Sequence, residues 1–329
     1  MFTSHRSRTG WMLMALTLAL ALSACATAVE PPAPGADGGQ AGKPPLPERI
    51  TEFGGEVPMI NVYVTDTGTV EKQSIEDYLA GVLAGEMRSD WPMEALKAQA
   101  ILARTFTLRF MTEKESKYEG ADVSTDIEEA QAYDKSGVNE RVKQAIEETR
   151  GMVLVSQGES GGEFPYAWFH AHSGGKTALA KEGLDYEKDE PPYTQVAQGN
   201  ESASAPEDAR QWTAQFSPES VMKAANLSGE MTGIEIGEKG ESGRAITLVI
   251  NGESVKAPPL RIALGSMEMR STLLDEVKLE DGTVIMSGKG YGHGVGMSQW
   301  GAYGMAESGS GAEDIVMHYF KDVNIVKMW

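Results

Sequence analysis

The sequence predicts an α+β fold: a single mixed domain with an N-terminal helix pair, separate short strands and Gly-rich loops that could border a groove. Three observations carry this. Helical periodicity is strong over residues 74–111. Strand-like runs appear separately at residues 59–65, 151–156, 164–172 and 246–250. The helices and strands do not alternate in the regular way that builds a parallel sheet. An apolar fraction of 41% across 329 residues is enough for a folded core, which excludes a wholly disordered chain.

Each element has a local reason. The run MINVYVT at residues 59–65 alternates apolar and polar positions, as a half-buried strand does. Ser74 is placed to cap a helix over residues 74–87, with Asp77 three positions on and acids in the first turn. Pro92 suits a first helical position, and the helix it opens extends to about residue 111. On that helix Leu96, Ala100, Ala103, Thr107 and Phe110 form one stripe of mainly small residues. A further helix is predicted over residues 138–150, strands at GMVLVS, FPYAWFHAH and ITLVI, a turn at RIALGS, and a closing helix near residues 314–320. There is no internal repeat.

The N-terminal end reads differently. Arg6 and Arg8 precede a 12-residue apolar run at residues 11–22, too short to span a bilayer comfortably and the right length for a signal-peptide core. The run ends in LSAC, which resembles a lipobox, so residues 1–24 are expected to be removed and Cys25 to carry lipid. Cys25 is the only cysteine, so no intrachain disulfide can form. Residues 25–55 are rich in Pro, Gly and Ala and read as an extended tether. The folded domain is expected over residues 56–329. The chain is therefore expected to be extracytoplasmic and held to the membrane by its lipid. A formal net charge of −19 argues against nucleic acid as a partner, because phosphate neutralisation needs excess Lys and Arg.

Four groups of residues could carry chemistry. Glu86 lies eleven residues after Ile75, close to three whole helical turns, so it shares a face with Ile75, Leu79, Val82 and Leu83. A carboxyl on an apolar stripe is costly to ionise, and a raised pKa is what a general acid needs near neutrality. A Glu at a helix end that simply reaches water is the plainer alternative. Lys97, Gln99 and Arg104 on the next helix offer donors that could bind a ligand or orient Glu86. A solvated face or, for Arg104, a buried ion pair are their structural alternatives. His170 and His172 form an H-x-H in a predicted strand, where alternate residues share a face and could bind zinc with a third ligand such as His293, His318 or a carboxylate. Hydrogen-bonded structural histidines are the other reading, and no cofactor is required. Ser173-Gly174-Gly175 is a tight loop able to bring backbone N–H groups to a ligand. The segment from Tyr291 to Gly304 is rich in Gly, with His293 and Gln299 among candidate ligand contacts and Tyr291, Trp300 and Tyr303 offering flat apolar faces. It lacks the G-x-x-x-x-G-K-[ST] phosphate loop.

Taken together, EDYLAGVLAGEMRSDWPMEALKAQAILARTF, STDIEEAQAY, FHAHSGGKT, PPYTQV, LRIALGSMEMRST and GYGHGVGMSQWGAYGMA, in that order, resemble the stage II sporulation protein D (SpoIID/LytB) family. The resemblance covers roughly residues 56–329. It implies a lytic transglycosylase acting on peptidoglycan glycan strands, preferring those stripped of stem peptides, with a peptidoglycan amidase as partner. It places the family's catalytic glutamate on Glu86. Beside Glu86, the candidate substrate contacts are Lys97, Gln99, Arg104, His170, Ser173, Gly174, Gly175, Tyr291, His293 and Gln299. Related domains serve as amidase enhancers, so a wall-binding module without chemistry is the competing expectation.

Overall fold

A computed structural model describes residues 42–157 and 162–329. The predicted leader, the lipidation site at Cys25 and most of the predicted tether lie outside the described residues. Within the remainder of the tether, Pro44 and Pro47 are buried and Leu46 and Ile50 pack on the core, so the chain is already docked before residue 56.

The fold is α+β. The short strand β1 (Phe53–Gly54) pairs with β2 (Val57–Val64), which pairs antiparallel with β3 (Thr69–Ser74). Ser74 then caps α1 (Ile75–Glu86), its hydroxyl accepting from the Asp77 N–H at 3.0 Å. Ile75, Tyr78, Leu79, Val82 and Leu83 are all buried, as the periodicity predicts.

After a short link comes α2 (Met93–Glu113), with Pro92 as its cap. The sequence predicts a one-faced helix, but α2 is buried on nearly every side. The reason is its position: α1, α3 (Glu140–Glu148), β5 (Met152–Ser156), α8 (Gln299–Glu307) and α9 (Ala312–Tyr319) all pack around it. Its alanines at 95, 98, 100 and 103 let these neighbours approach closely. The strand β4 (Val123–Ser124) joins β2 in parallel, and β14 (Val323–Lys327) pairs antiparallel with β5.

The predicted strand at residues 164–172 is mostly irregular. Only β6 (Phe169–His170) enters a ladder, in parallel with β13 (Met297–Ser298). Beyond α4 (Ala180–Leu184) and α5 (Glu207–Arg210) the chain builds a second core. There β7 (Gln211–Phe216) is followed by α6 (Pro218–Ala224), β8 (Ile234–Ile236), β9 (Thr247–Ile250) and β10 (Glu253–Lys256). The sequence RIALGS is not wholly a turn: it contains the end of α7 (Ala257–Leu264), which stops at Gly265. The meander β11 (Leu274–Glu280) and β12 (Thr283–Lys289) closes this part, with β12 paired to β7. The chain then returns to the first core through β13, α8 and α9.

Candidate active site

Glu86 is the last residue of α1, half-buried at its C-terminal end. Its Oε1 accepts a hydrogen bond from the Ala132 N–H at 2.8 Å. Burial pushes its pKa up from 4.5 to about 6, opposed in part by the Ala132 N–H and by the Gln299 amide. The negative end of the helix dipole acts in the same direction as burial. A carboxyl poised in this range can give up a proton near neutral pH and take one back.

The sequence of α1 explains how a backbone N–H from residue 132 reaches this carboxyl. Gly81 and Gly85 lie four apart and so share a face. A Cβ at Gly85 would stand 2.6 Å from the Tyr133 nitrogen and 2.7 Å from the Ala132 carbonyl carbon. A Cβ at Gly81 would collide with the Tyr133 ring. The two glycines thus leave a notch in which Ala132 and Tyr133 sit, and the Asp134 N–H closes it by donating to the Gly81 carbonyl at 2.9 Å.

The other wall comes from α8. Ser298 caps this helix, its hydroxyl accepting from the Gly301 N–H at 3.2 Å. The first residue, Gln299, donates from Nε2 to the Glu86 backbone carbonyl at 3.3 Å. Beside it Trp300 and Tyr303 form an aromatic group with Trp91, from the link between α1 and α2. Trp300 and Tyr303 remain half-buried. Of the residues predicted to bind ligand, Gln299 is the one that touches Glu86.

The predicted residues of α2 are employed elsewhere. Arg104 is fully buried and pairs with Glu76, at 2.6 Å from Nη2 and 3.1 Å from Nε, while its Nη1 donates to the Met152 carbonyl at 3.0 Å. Glu76 also accepts from the Gly151 N–H at 3.1 Å and the Trp329 indole N–H at 3.0 Å, so the buried charge is well satisfied. Arg104 thus forms the buried ion pair that was its structural alternative to ligand binding. Lys97 pairs with Glu94 at 2.6 Å and Glu148 at 3.2 Å, in a cavity of about 410 Å³ that does not include Glu86. Gln99 is fully buried, and neither polar atom of its amide has a hydrogen-bond partner among the described residues.

The loop Ser173-Gly174-Gly175 and the segment opening at Tyr291 pack on each other. The Ser173 hydroxyl and N–H both donate to Glu201. Ser173 is fully buried, so its polar groups serve the interior. His172 and Tyr291 exchange backbone hydrogen bonds at 3.0 and 2.8 Å. Arg244, itself fully buried, donates to the carbonyls of Lys176 and Ser173 at 2.9 and 2.6 Å. Gly294 has φ +85° and lies against that guanidinium, where a Cβ could not fit. The backbone that these glycines approach is the chain's own. Tyr291 stands under the Arg270 guanidinium at 5.2 Å.

The histidines diverge. The His170 Nδ1 lies 3.1 Å from the Val295 carbonyl, and its ring is 5.6 Å from that of His293. The His172 Nδ1 accepts from the Gly174 N–H at 3.0 Å. Burial holds all three imidazoles below the usual range, His293 at about 3, with Arg261 and Arg244 adding to its shift. Among the described residues no three His, Cys, Asp or Glu side chains are grouped as metal ligands.

Sequence comparison fits this geometry. The family model described as "SpoIID: Stage II sporulation protein" matches residues 63–155, the span that carries Glu86, both glycines of the notch and Ala132. The stage II sporulation protein D of Bacillus amyloliquefaciens is 33% identical over 281 residues, covering 81% of this chain and 78% of that protein. Its namesake from Bacillus subtilis is 30% identical over 284 residues, with the same shares covered. The chain belongs to the stage II sporulation protein D family. It is also similar to the Bacillus subtilis amidase enhancer, 28% identical over 74% of this chain and 39% of that protein.

Proposed function

We propose that this protein acts in the bacterial cell wall as a lytic transglycosylase, with Glu86 as its single acid and base. The observation that carries this reading is the half-buried Glu86 carboxyl, poised at about pH 6 and held by the Ala132 N–H. The hydrogen bonds seen at Glu86 come from a backbone N–H and an amide, from Ala132 and Gln299. Glycosidases that use water need two carboxyl groups. One suffices when the nucleophile is the sugar's own hydroxyl.

Protonated Glu86 gives its proton to the oxygen linking MurNAc to GlcNAc, and the C1–O bond breaks. The resulting carboxylate takes the proton of the MurNAc 6-hydroxyl as that oxygen bonds to C1. The products are a 1,6-anhydroMurNAc end and a free GlcNAc 4-hydroxyl, with Glu86 again protonated and no water consumed. Trp300 and Tyr303, half-buried beside Gln299, offer ring faces on which sugars can stack.

A second reading draws on the similarity to the amidase enhancer: a wall-bound module that stimulates a peptidoglycan amidase without cutting glycan itself. Mass spectrometry of peptide-free glycan strands separates the two. Anhydro ends formed by the wild type and lost in Glu86→Gln support the enzyme. Binding without cleavage by both proteins supports the enhancer. We place the chain outside the cytoplasm, anchored through lipid on Cys25; release of Cys25→Ala from the membrane fraction tests this.

A further inference from the structure

The backbone donor on Glu86 belongs to the segment between β4 and α3, residues 125–139, which forms no helix or strand. Something must hold that donor in place. Beta-ladder hydrogen bonds cannot do so there. Gln131 beside it donates to the Thr107 hydroxyl at 3.2 Å and the Asp134 N–H to the Gly81 carbonyl, and the packing contacts between them centre on Tyr133. Its ring occupies the space over Gly81, and its nitrogen and the preceding carbonyl fill the space over Gly85. Its ring also lies 5.8 Å from that of Tyr78, nearly parallel at 18°. Tyr78 is fully buried and donates its hydroxyl hydrogen to the Ser124 carbonyl at 3.1 Å, so it is a fixed surface for the ring to rest on.

We propose that Tyr133 is a positioning residue for Glu86: wedged between the Gly81 notch and the Tyr78 ring, it holds the Ala132 N–H on the carboxyl group. The role rests on the reading of Glu86 as the acid. Tyr133 does not touch the reacting atoms. It acts through the peptide unit that joins it to Ala132, one residue away from the donor.

The direction of its effect follows from that geometry. A hydrogen bond to the ionised form favours ionisation, so losing the donor leaves Glu86 harder to ionise. The surrounding titratable groups do not replace it. Tyr78 on α1, its pKa raised by burial and then by Tyr133, Glu129 and Glu86, stays neutral and supplies no positive charge. Arg88, after α1, is held by Asp90 at 2.7 Å, with Tyr303 of α8 nearby. From α8, the Gln299 amide remains in either case.

The test is a carboxyl titration by NMR in the full-length protein labelled with 13Cδ-glutamate, Glu86 being assigned by its absence in Glu86→Gln. Tyr133→Ala and Tyr133→Leu should move the Glu86 midpoint upward by about one pH unit, and Tyr133→Phe should leave it at the wild-type value. Gly81→Ala, which displaces the ring from the opposite side, should reproduce the upward move. A folded Tyr133→Leu or Gly81→Ala protein with an unmoved midpoint overturns the proposal, even if its stability falls. The alkaline limb of the cleavage profile, where the protonated acid is lost, should follow the same order. Absence of cleavage in the wild type would remove the enzymatic reading while the titration still decides the role of Tyr133.

Discussion

Replacing Glu86 by Gln separates what this residue does for catalysis from what it costs the fold. Its folded pKa of about 6 stands above the ordinary 4.5, so the folded state binds the proton more tightly than the unfolded chain. The corresponding stability is fully present below about pH 4.5 and is lost as pH rises through about 6. Fully developed, that loss amounts to roughly 2 kcal/mol. Water reaches the half-buried group, so about 1–2 kcal/mol is expected in practice. Glu86→Gln keeps an oxygen to accept from Ala132 and never ionises. Urea unfolding should therefore show the variant gaining about 1–2 kcal/mol on the wild type between pH 4.5 and pH 7.5. At pH 7 only about a tenth of wild-type Glu86 is protonated, yet removing the acid should lower glycan cleavage by about 10²–10⁴-fold. A stability difference that does not change with pH would refute the burial argument. Undiminished cleavage would refute the assignment of the acid.

Other substitutions test the surrounding assignments. Arg104→Met leaves the Glu76 carboxylate buried without its cation and should cost about 3–5 kcal/mol in chemical denaturation, much of it recovered by adding Glu76→Leu. Lys97→Ala removes a half-exposed pair and should change stability by less than about 1 kcal/mol, leaving glycan cleavage at the wild-type rate. Gly294→Ala forces a Cβ into the Arg244 guanidinium at a left-handed φ, and its melting temperature should drop by an amount equivalent to more than about 2 kcal/mol.

The helical part of the site was readable from residue types. Ser74 announces the start of α1, the apolar stripe sets its inner face, and counting turns from Ile75 puts Glu86 on it. The partner of that carboxyl was not readable, because a backbone N–H has no residue type. The available signal was the Gly81/Gly85 spacing, which marks a helix face approached by another chain segment. Burial of α2 on all sides was also hidden, since its neighbours come from the opposite end of the chain. The Gly-rich segment from Tyr291 to Gly304 reads as a candidate ligand-binding stretch. Its glycines instead admit Arg244 and the loop at Ser173, a distinction that spacing alone cannot make. The helix α8 was missed because its glycines masked the Ser298 cap.

The contact between Gln299 and Glu86 joins residues 213 apart in the chain. A chain that emerges from its N-terminus displays α1 long before α8 exists. Until then Glu86 lacks the Gln299 amide, one of the two donors that favour its ionised form. The balance of burial and donors that sets its acidity is thus complete only when both ends of the chain have met.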